Sequence, residues 1–282
     1  RGFEKATGTV EVAGSKVPFT IEQPDWRHFG GDISDGVVVY LSGWTESEDS
    51  LKSLRHATAR LGMAAVTIQQ PRYYRPDKVL RAPELRVENA ATITRNLNNM
   101  YPSVHLAGHS LGGTEAVRVA AEYEACIETL TLLGSAGLIA SDGFRQVAPR
   151  VFEEIVSEEL YSLRSGLISK SGIALESIKM VLRNPALATN EGVAAATHYV
   201  GRHIQPLLDK GLYVANVMAD EDKIFPYQQV LESTGHIPFS SQEVFTESCH
   251  NFTAHRPNEV AQLICAVTVD ASSVRQQRAQ AV

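Results

Sequence analysis

The sequence predicts an α/β protein: a mostly parallel sheet of about eight strands with helices on both faces. Three observations carry that expectation. Short, largely apolar runs of strand-forming residues recur at 37–41, 64–68, 104–107, 129–133 and 212–218, and most are separated by stretches of helical periodicity. One strand-to-helix junction carries a Gly-x-Ser-x-Gly pattern, with Ser110 between Gly108 and Gly112. Between the runs at 129–133 and 212–218 the alternation stops, and 142–210 shows helical patterns only.

A chain of 282 residues is ordinary for one large α/β unit and long enough to bury a sizeable core. Acidic residues outnumber basic ones, 32 to 26, and no Lys/Arg run marks a nucleic-acid footprint, so a polyanionic partner is not expected. No apolar run reaches the roughly 18 to 20 residues of a membrane span. The three cysteines, Cys126, Cys249 and Cys265, are odd in number and lack metal-ligand spacing. They predict free thiols and a reducing, cytoplasmic setting. The chain opens at Arg1 rather than methionine, which implies trimming, and a removed signal peptide is one form of it.

Taken in order, residues 7–22 alternate β-branched and polar side chains around Gly14 and read as a hairpin. Residues 23–35, rich in Pro, Asp and Gly, read as a loop. The apolar run 37–41 is a strand covered on both faces. An amphipathic helix over 47–61 presents Leu51, Leu54, Thr58 and Leu61 on one side. The strand at 64–68 stops before Pro71, and 72–76 reads as a solvated connector. A long helix covers about 83–100, the strand at 104–107 follows, and the helix after Ser110 turns Val117, Ala120 and Ala121 toward the sheet. On that helix Glu115 reads as a solvated acid. Past the strand at 212–218 come a helix over 228–234, a short strand at 244–246 and a last helix over 258–269, with 270–282 a polar, fraying tail.

The Gly-x-Ser-x-Gly junction has a physical reading. Pushing a serine hydroxyl out at the end of a strand demands a backbone turn so sharp that side chains two residues to either side would collide. Gly108 and Gly112 remove them. A glycine-rich turn with an incidental serine would share the five letters, but strand before and helix after are the context the motif requires.

The stretch Gly-His-Ser-Leu-Gly-Gly at 108–113 resembles the nucleophile elbow of the α/β-hydrolase family, and the likeness spans nearly the whole chain outside 142–210. That resemblance implies the α/β-hydrolase fold, with a core formed by 1–141 and 211–282 and a helical cap inserted at 142–210. It implies Ser110 as nucleophile with partners downstream in the order acid, then histidine. The loop at 219–226 looks like the family's acid loop, and aligning on Pro226 puts the acid at Asp222, with Asp220 the competitor. His250, just past the last strand, matches the triad histidine, with His255 as its rival; Cys249 beside it reads as a packed thiol. After the strand at 37–41 the family often has His-Gly followed by an oxyanion-binding N–H. Here the pair is Ser42-Gly43, so Trp44 is the implied donor and Leu111 the second, while the side chain that often braces that loop is missing.

The implied activity is hydrolysis of a largely apolar, small-molecule carboxylic ester through an acyl-enzyme, without metal or organic cofactor. His198 and His203, five residues apart, lack the spacing of a helix-face metal pair and read as structural. The same triad also resembles that of C–C bond hydrolases, thioesterases, perhydrolases and acyltransferases, and a slow-turnover binding or receptor protein could keep it too. Within the cap, Phe152, Tyr161 and Met180 are candidates to line the pocket.

Overall fold

In a computed structural model, the described residues are 3–12, 15–24, 36–44, 46, 48–70, 76–123, 127–165, 179 and 181–280. Eight strands form one sheet: β1 (Phe3–Val12), β2 (Ser15–Pro24), β3 (Val37–Leu41), β4 (Ala64–Ile68), β5 (Val104–His109), β6 (Thr129–Leu133), β7 (Tyr213–Ala219) and β8 (Ser241–Phe245). Their order is β1-β2-β4-β3-β5-β6-β7-β8. β1 and β2 are antiparallel to each other and β2 to β4, and every other pairing is parallel. The tip of the predicted hairpin at 13–14, the connector at 72–75 and Cys126 lie outside the described residues.

The central strands are buried on both faces and largely apolar, with Thr67, His105, Thr129, Thr131 and Asn216 among the buried polar exceptions. Along β3, Val37, Val39 and Leu41 enter one apolar cluster while Val38 and Tyr40 enter the other, the period-two alternation of a pleated strand. The first cluster takes residues from α3 (Ala82–Asn98) and α4 (Leu111–Glu122), and the second from α1 (Lys52–Arg60) and α10 (Pro257–Gln280). Between α1 and α3 lies the short α2 (Pro76–Leu80). The helix expected over 47–61 opens as a 3₁₀ turn at Glu48–Leu51, and Leu61 is exposed.

Between β6 and β7, the described helices are α5 (Phe144–Ser165), α6 (Pro185–Thr197) and α7 (Gly201–Asp209); 166–178 and Met180 lie outside the described residues. α7 packs against the sheet: Ile204 and Leu207 share a cluster with Val117 and Val214, so it serves as the crossover helix feeding β7. α8 (Tyr227–Thr234) and the single turn α9 (Phe252–His255) flank the two last loops.

The C-terminal segment differs from the fraying tail expected. Helix continues through 270–280, whose last six residues are Arg, Gln and Ala, all good helix formers, and Arg275 is ion-paired with Glu128. No helix among the described residues is long and apolar enough to cross a membrane.

Candidate active site

The sheet register brings five strand ends together. Leu41 pairs with Gly108, His109 with Leu133, Leu133 with Val217, and Ala219 with Phe245, so the residues that follow β3, β5, β6, β7 and β8 meet at one edge. Such an edge, outside the carboxyl ends of parallel strands, is where open α/β sheets place their sites.

Ser110 sits at φ 53° and ψ −121°, a region that costs a non-glycine residue of order 1–3 kcal/mol. Three backbone hydrogen bonds hold it there: Ser110 N–H donates to the Leu133 carbonyl at 3.0 Å, and the Ser110 carbonyl accepts from Gly113 at 2.9 Å and Ala136 at 3.0 Å. The two elbow glycines are needed for space. A Cβ on Gly108 would lie 2.2 Å from the Gly112 carbonyl oxygen, and one on Gly112 would lie 2.2 Å from that of Leu41.

Asp222 and His250 come together on the loops after β7 and β8. The His250 Nδ1 and Asp222 Oδ2 are 2.8 Å apart and both residues are buried. The other carboxylate oxygen of Asp222 accepts the N–H groups of Ile224 and Phe225, each at 2.8 Å, so the side chain is locked by its own loop. Asp220 is used elsewhere, its carboxylate accepting the Ser248 N–H at 3.2 Å. His255 is exposed, with its Nδ1 3.5 Å from the Cys249 Sγ. Of the competing pairs left open by the sequence, the structure therefore joins Asp222 with His250. A Cβ on Gly134, in the loop after β6, would be 3.4 Å from Asp222 Oδ2 and 3.5 Å from His250 Nδ1, which places the pair directly above that loop.

Electrostatics at His250 are set by acids. Burial opposes its charging, but Asp222, by charge and by hydrogen bond, and then Glu154 and Glu46, outweigh that and raise its pKa to about 9. Glu154, on α5, accepts the His250 backbone N–H at 2.8 Å. His109 stacks on His250 with ring centroids 4.8 Å apart, and its Nε2 donates to the His250 carbonyl at 3.0 Å. Its Nδ1 is 3.0 Å from Glu46 Oε1. Burial works against ionisation of Glu46, yet His109 and the Gly43 N–H hold its pKa below the usual carboxylate value.

The loop after β3 closes the site on its other side. A Cβ on Gly43 would be 3.0 Å from the Ser110 Cβ, so this backbone passes directly against the serine. The Trp44 indole Nε1 donates to the Ala188 carbonyl on α6 at 2.8 Å. Neither the Trp44 nor the Leu111 backbone N–H meets an acceptor among the described residues, and Leu111 opens α4, whose N-terminus favours negative charge.

Beneath that loop lies Arg86, 1% exposed, reaching Glu115 with Nε, Glu191 at 3.4 Å with Nη1 and the Ser42 carbonyl at 2.9 Å with Nη2. Glu115 is thus buried and paired, not solvated as expected from its helix. Its apolar surroundings push its pKa up to about 7, Arg86 offsetting part of that and Glu191 adding to it. Among the cap candidates Phe152 is 70% exposed, on the side of α5 away from buried Glu154, and so does not line this site. Tyr161's side chain and Met180 lie outside the described residues. His198 and His203 instead border a polar pocket of about 320 Å³ with Arg118 and Glu122. No group of three or more His, Cys, Asp or Glu suited to a metal ion occurs among the described residues.

The residues missed by sequence reading are Glu46, Arg86, His109 and Glu154. The only signal was that His109 and Glu46 stand next to recognised motifs.

No family profile and no curated protein matches the chain. Solved structures resemble it over nearly its full length. A proline iminopeptidase from Mycobacterium smegmatis superposes with a TM-score of 0.69 at 14% identity, covering 94% of this chain and 100% of that one. The thioesterase domain from the curacin biosynthetic pathway gives 0.63 at 14%, covering 93% and 99%. An α/β hydrolase from a sediment metagenome of the Mar Chica lagoon, Morocco, gives 0.58 at 15%, covering 94% and 99%. The chain has the α/β-hydrolase fold. Within that fold the strained serine lies on the turn after β5 and the acid and histidine on the loops after β7 and β8, in the chain order Ser110, Asp222, His250.

Proposed function

We propose that the protein is a serine hydrolase that cleaves a carboxylic ester, or a related acyl bond, through an acyl-enzyme. The observation that carries this reading is a serine at φ 53° and a buried Asp222–His250 pair at 2.8 Å at the same edge of the sheet. Ser110 attacks the acyl carbon. His250 takes the serine proton and returns it to the leaving alcohol, and Asp222 fixes the tautomer with Nδ1–H toward itself and stabilises the imidazolium. The oxyanion of the tetrahedral intermediate is received by the N–H groups of Trp44 and Leu111, both without another acceptor among the described residues. Water, activated by His250, then releases the acid. The proposal draws no step from a metal or organic cofactor.

The helices α5 and α6 are proposed as a cap over this edge, supported by Glu154 and Ala188 reaching residues of the site from them. The last described helix of 142–210, α7, is proposed as part of the core, supported by the packing of Ile204 and Leu207 with Val214 of β7.

The decisive experiment is labelling with a fluorophosphonate followed by peptide mapping. One adduct per chain, on Ser110 and abolished by Ser110→Ala, is the expected result, because only an activated serine attacks phosphorus quickly at neutral pH. Labelling elsewhere, or none, removes the proposal.

A further inference from the structure

The Ser42–Gly43 peptide is gripped at both ends by buried charges. Its carbonyl accepts from Arg86 Nη2 at 2.9 Å, and its N–H donates to Glu46 Oε2 at 2.8 Å. We propose that Arg86 and Glu46 are positioning residues that fix this peptide plane and thereby aim the Trp44 N–H at the oxyanion, a role that rests on the acyl-transfer reading above.

The need for such a clamp follows from Gly43. A side chain there would press on Ser110 Cβ at 3.0 Å and Glu46 Cδ at 3.1 Å, and glycine avoids that crowding. Glycine, however, puts little resistance in the way of a peptide flip. The two partners supply the missing stiffness with a direction. Flipping the plane would point the Ser42 carbonyl at a carboxylate and the Gly43 N–H at a guanidinium, replacing two charge-assisted hydrogen bonds by two repulsions in a buried site.

The next peptide, Gly43–Trp44, is held at its far side as well. Its carbonyl faces the Glu46 N–H at 3.4 Å, and the indole of Trp44 is anchored on Ala188 at 2.8 Å. With the carbonyl turned toward Glu46, the Trp44 N–H points the opposite way. The side chain that the family often uses to brace this loop is replaced by two residues drawn from outside the motif's first pair.

Each partner is held in turn. Glu46 Oε1 lies 3.0 Å from His109 Nδ1, next to the serine, and Arg86 is shared with Glu115 of α4 and Glu191 of α6. The clamp thus refers the loop to the same elements that carry Ser110.

The test uses the full chain and p-nitrophenyl butyrate. Glu46→Ala should lower kcat by about 10- to 100-fold, less than or equal to the loss of a whole oxyanion donor, with KM nearly unchanged. Glu46→Gln, which still offers an oxygen to the Gly43 N–H, should recover most of that loss. At the other end, Arg86→Met combined with Glu115→Gln and Glu191→Gln removes the donor without stranding buried charge, and should show the same split between kcat and KM.

Affinity for a trifluoromethyl ketone, which binds as a tetrahedral adduct, should fall by the same factor as kcat. Folded variants, judged by circular dichroism, with wild-type kcat, or with losses confined to KM, overturn the clamp. Should Glu46→Ala fail to fold, the triple variant alone decides, and vice versa. A wild-type protein that takes no fluorophosphonate on Ser110 overturns the underlying reading as well, whereas a labelled wild type with indifferent variants overturns only the clamp.

Discussion

Glu154, on the helix Phe144–Ser165, accepts the backbone N–H of His250 at 2.8 Å across 96 positions of sequence. This ties a helix of the proposed cap directly to the loop that carries the histidine, so cap and chemistry are not independent. The two residues after Phe152 put Glu154 on the opposite side of its helix, and that rotation is why Phe152 is exposed while Glu154 is buried.

Glu154→Gln should therefore move a pH profile. His250 has a pKa raised to about 9, with Asp222 the main cause and Glu154 contributing. As a general base it must be neutral, so kcat/KM is expected to rise with pH and reach half its maximum near 9. Removing the charge of Glu154 makes the imidazolium less favourable, so the midpoint should shift downward while the amide oxygen still accepts the N–H. A midpoint that stays put, measured on p-nitrophenyl butyrate corrected for spontaneous hydrolysis, would count against the electrostatic role.

The acid assignment is separable by mutation. Asp222→Asn is expected to reduce kcat on the order of 10⁴, the scale seen where such a residue holds the histidine tautomer. Asp220→Asn should matter far less, because Asp220 accepts only the Ser248 N–H. Reversed effects in steady-state kinetics would sink the assignment.

Stability should also fall with rising pH, in two windows. Glu115 has a folded pKa of about 7 against an ordinary carboxylate value of 4.5, and His250 about 9 against 6.5. Both are raised, so in each case the folded state binds its proton more tightly. The stabilisation is complete below the unfolded value and lost as pH climbs through the folded one. Thermal melting is expected to drop between about 4.5 and 7 and again between about 6.5 and 9. Glu115→Gln should flatten the first decline, and a slope unchanged by it would refute this source.

The elbow offers a packing test. Gly112→Ala sets a methyl group 2.2 Å from the Leu41 carbonyl oxygen, a rigid backbone atom of β3, and should destabilise by about 3 kcal/mol or more. In Gly143→Ala the new Cβ meets only the end of the Gln146 side chain at 3.1 Å, so its effect should stay within about 0.5 kcal/mol. Equal midpoints for the two in urea denaturation would contradict the geometry.

Much of the frame was legible in order along the chain. Largely apolar runs of strand formers marked β3, β4, β5, β6 and β7, because strands covered on both faces are built mainly from apolar residues. Ser110 stood out because its turn is local: the strain at the serine and the clashes relieved at Gly108 and Gly112 arise within five residues. Asp222 and His250 could be ranked over Asp220 and His255 only by resemblance, on Pro226 and on the strand before His250, since each rival stands within five residues.

The rest depended on contacts that no local pattern encodes. Glu115 had the spacing of a surface acid, yet Arg86, 29 positions away, draws it inside. Arg86 itself joins Ser42, 44 positions back, to Glu191, 105 positions ahead. Buried charges are tolerated only when paired, and their partners are chosen by the folded arrangement of strands and helices rather than by periodicity. The sequence by itself determined the parallel sheet and the serine turn, because apolar runs and glycine spacing act over a few residues. Only the tertiary structure decided which acid meets His250 and which charges grip the Ser42–Gly43 peptide, because those choices are made where the ends of separate strands converge.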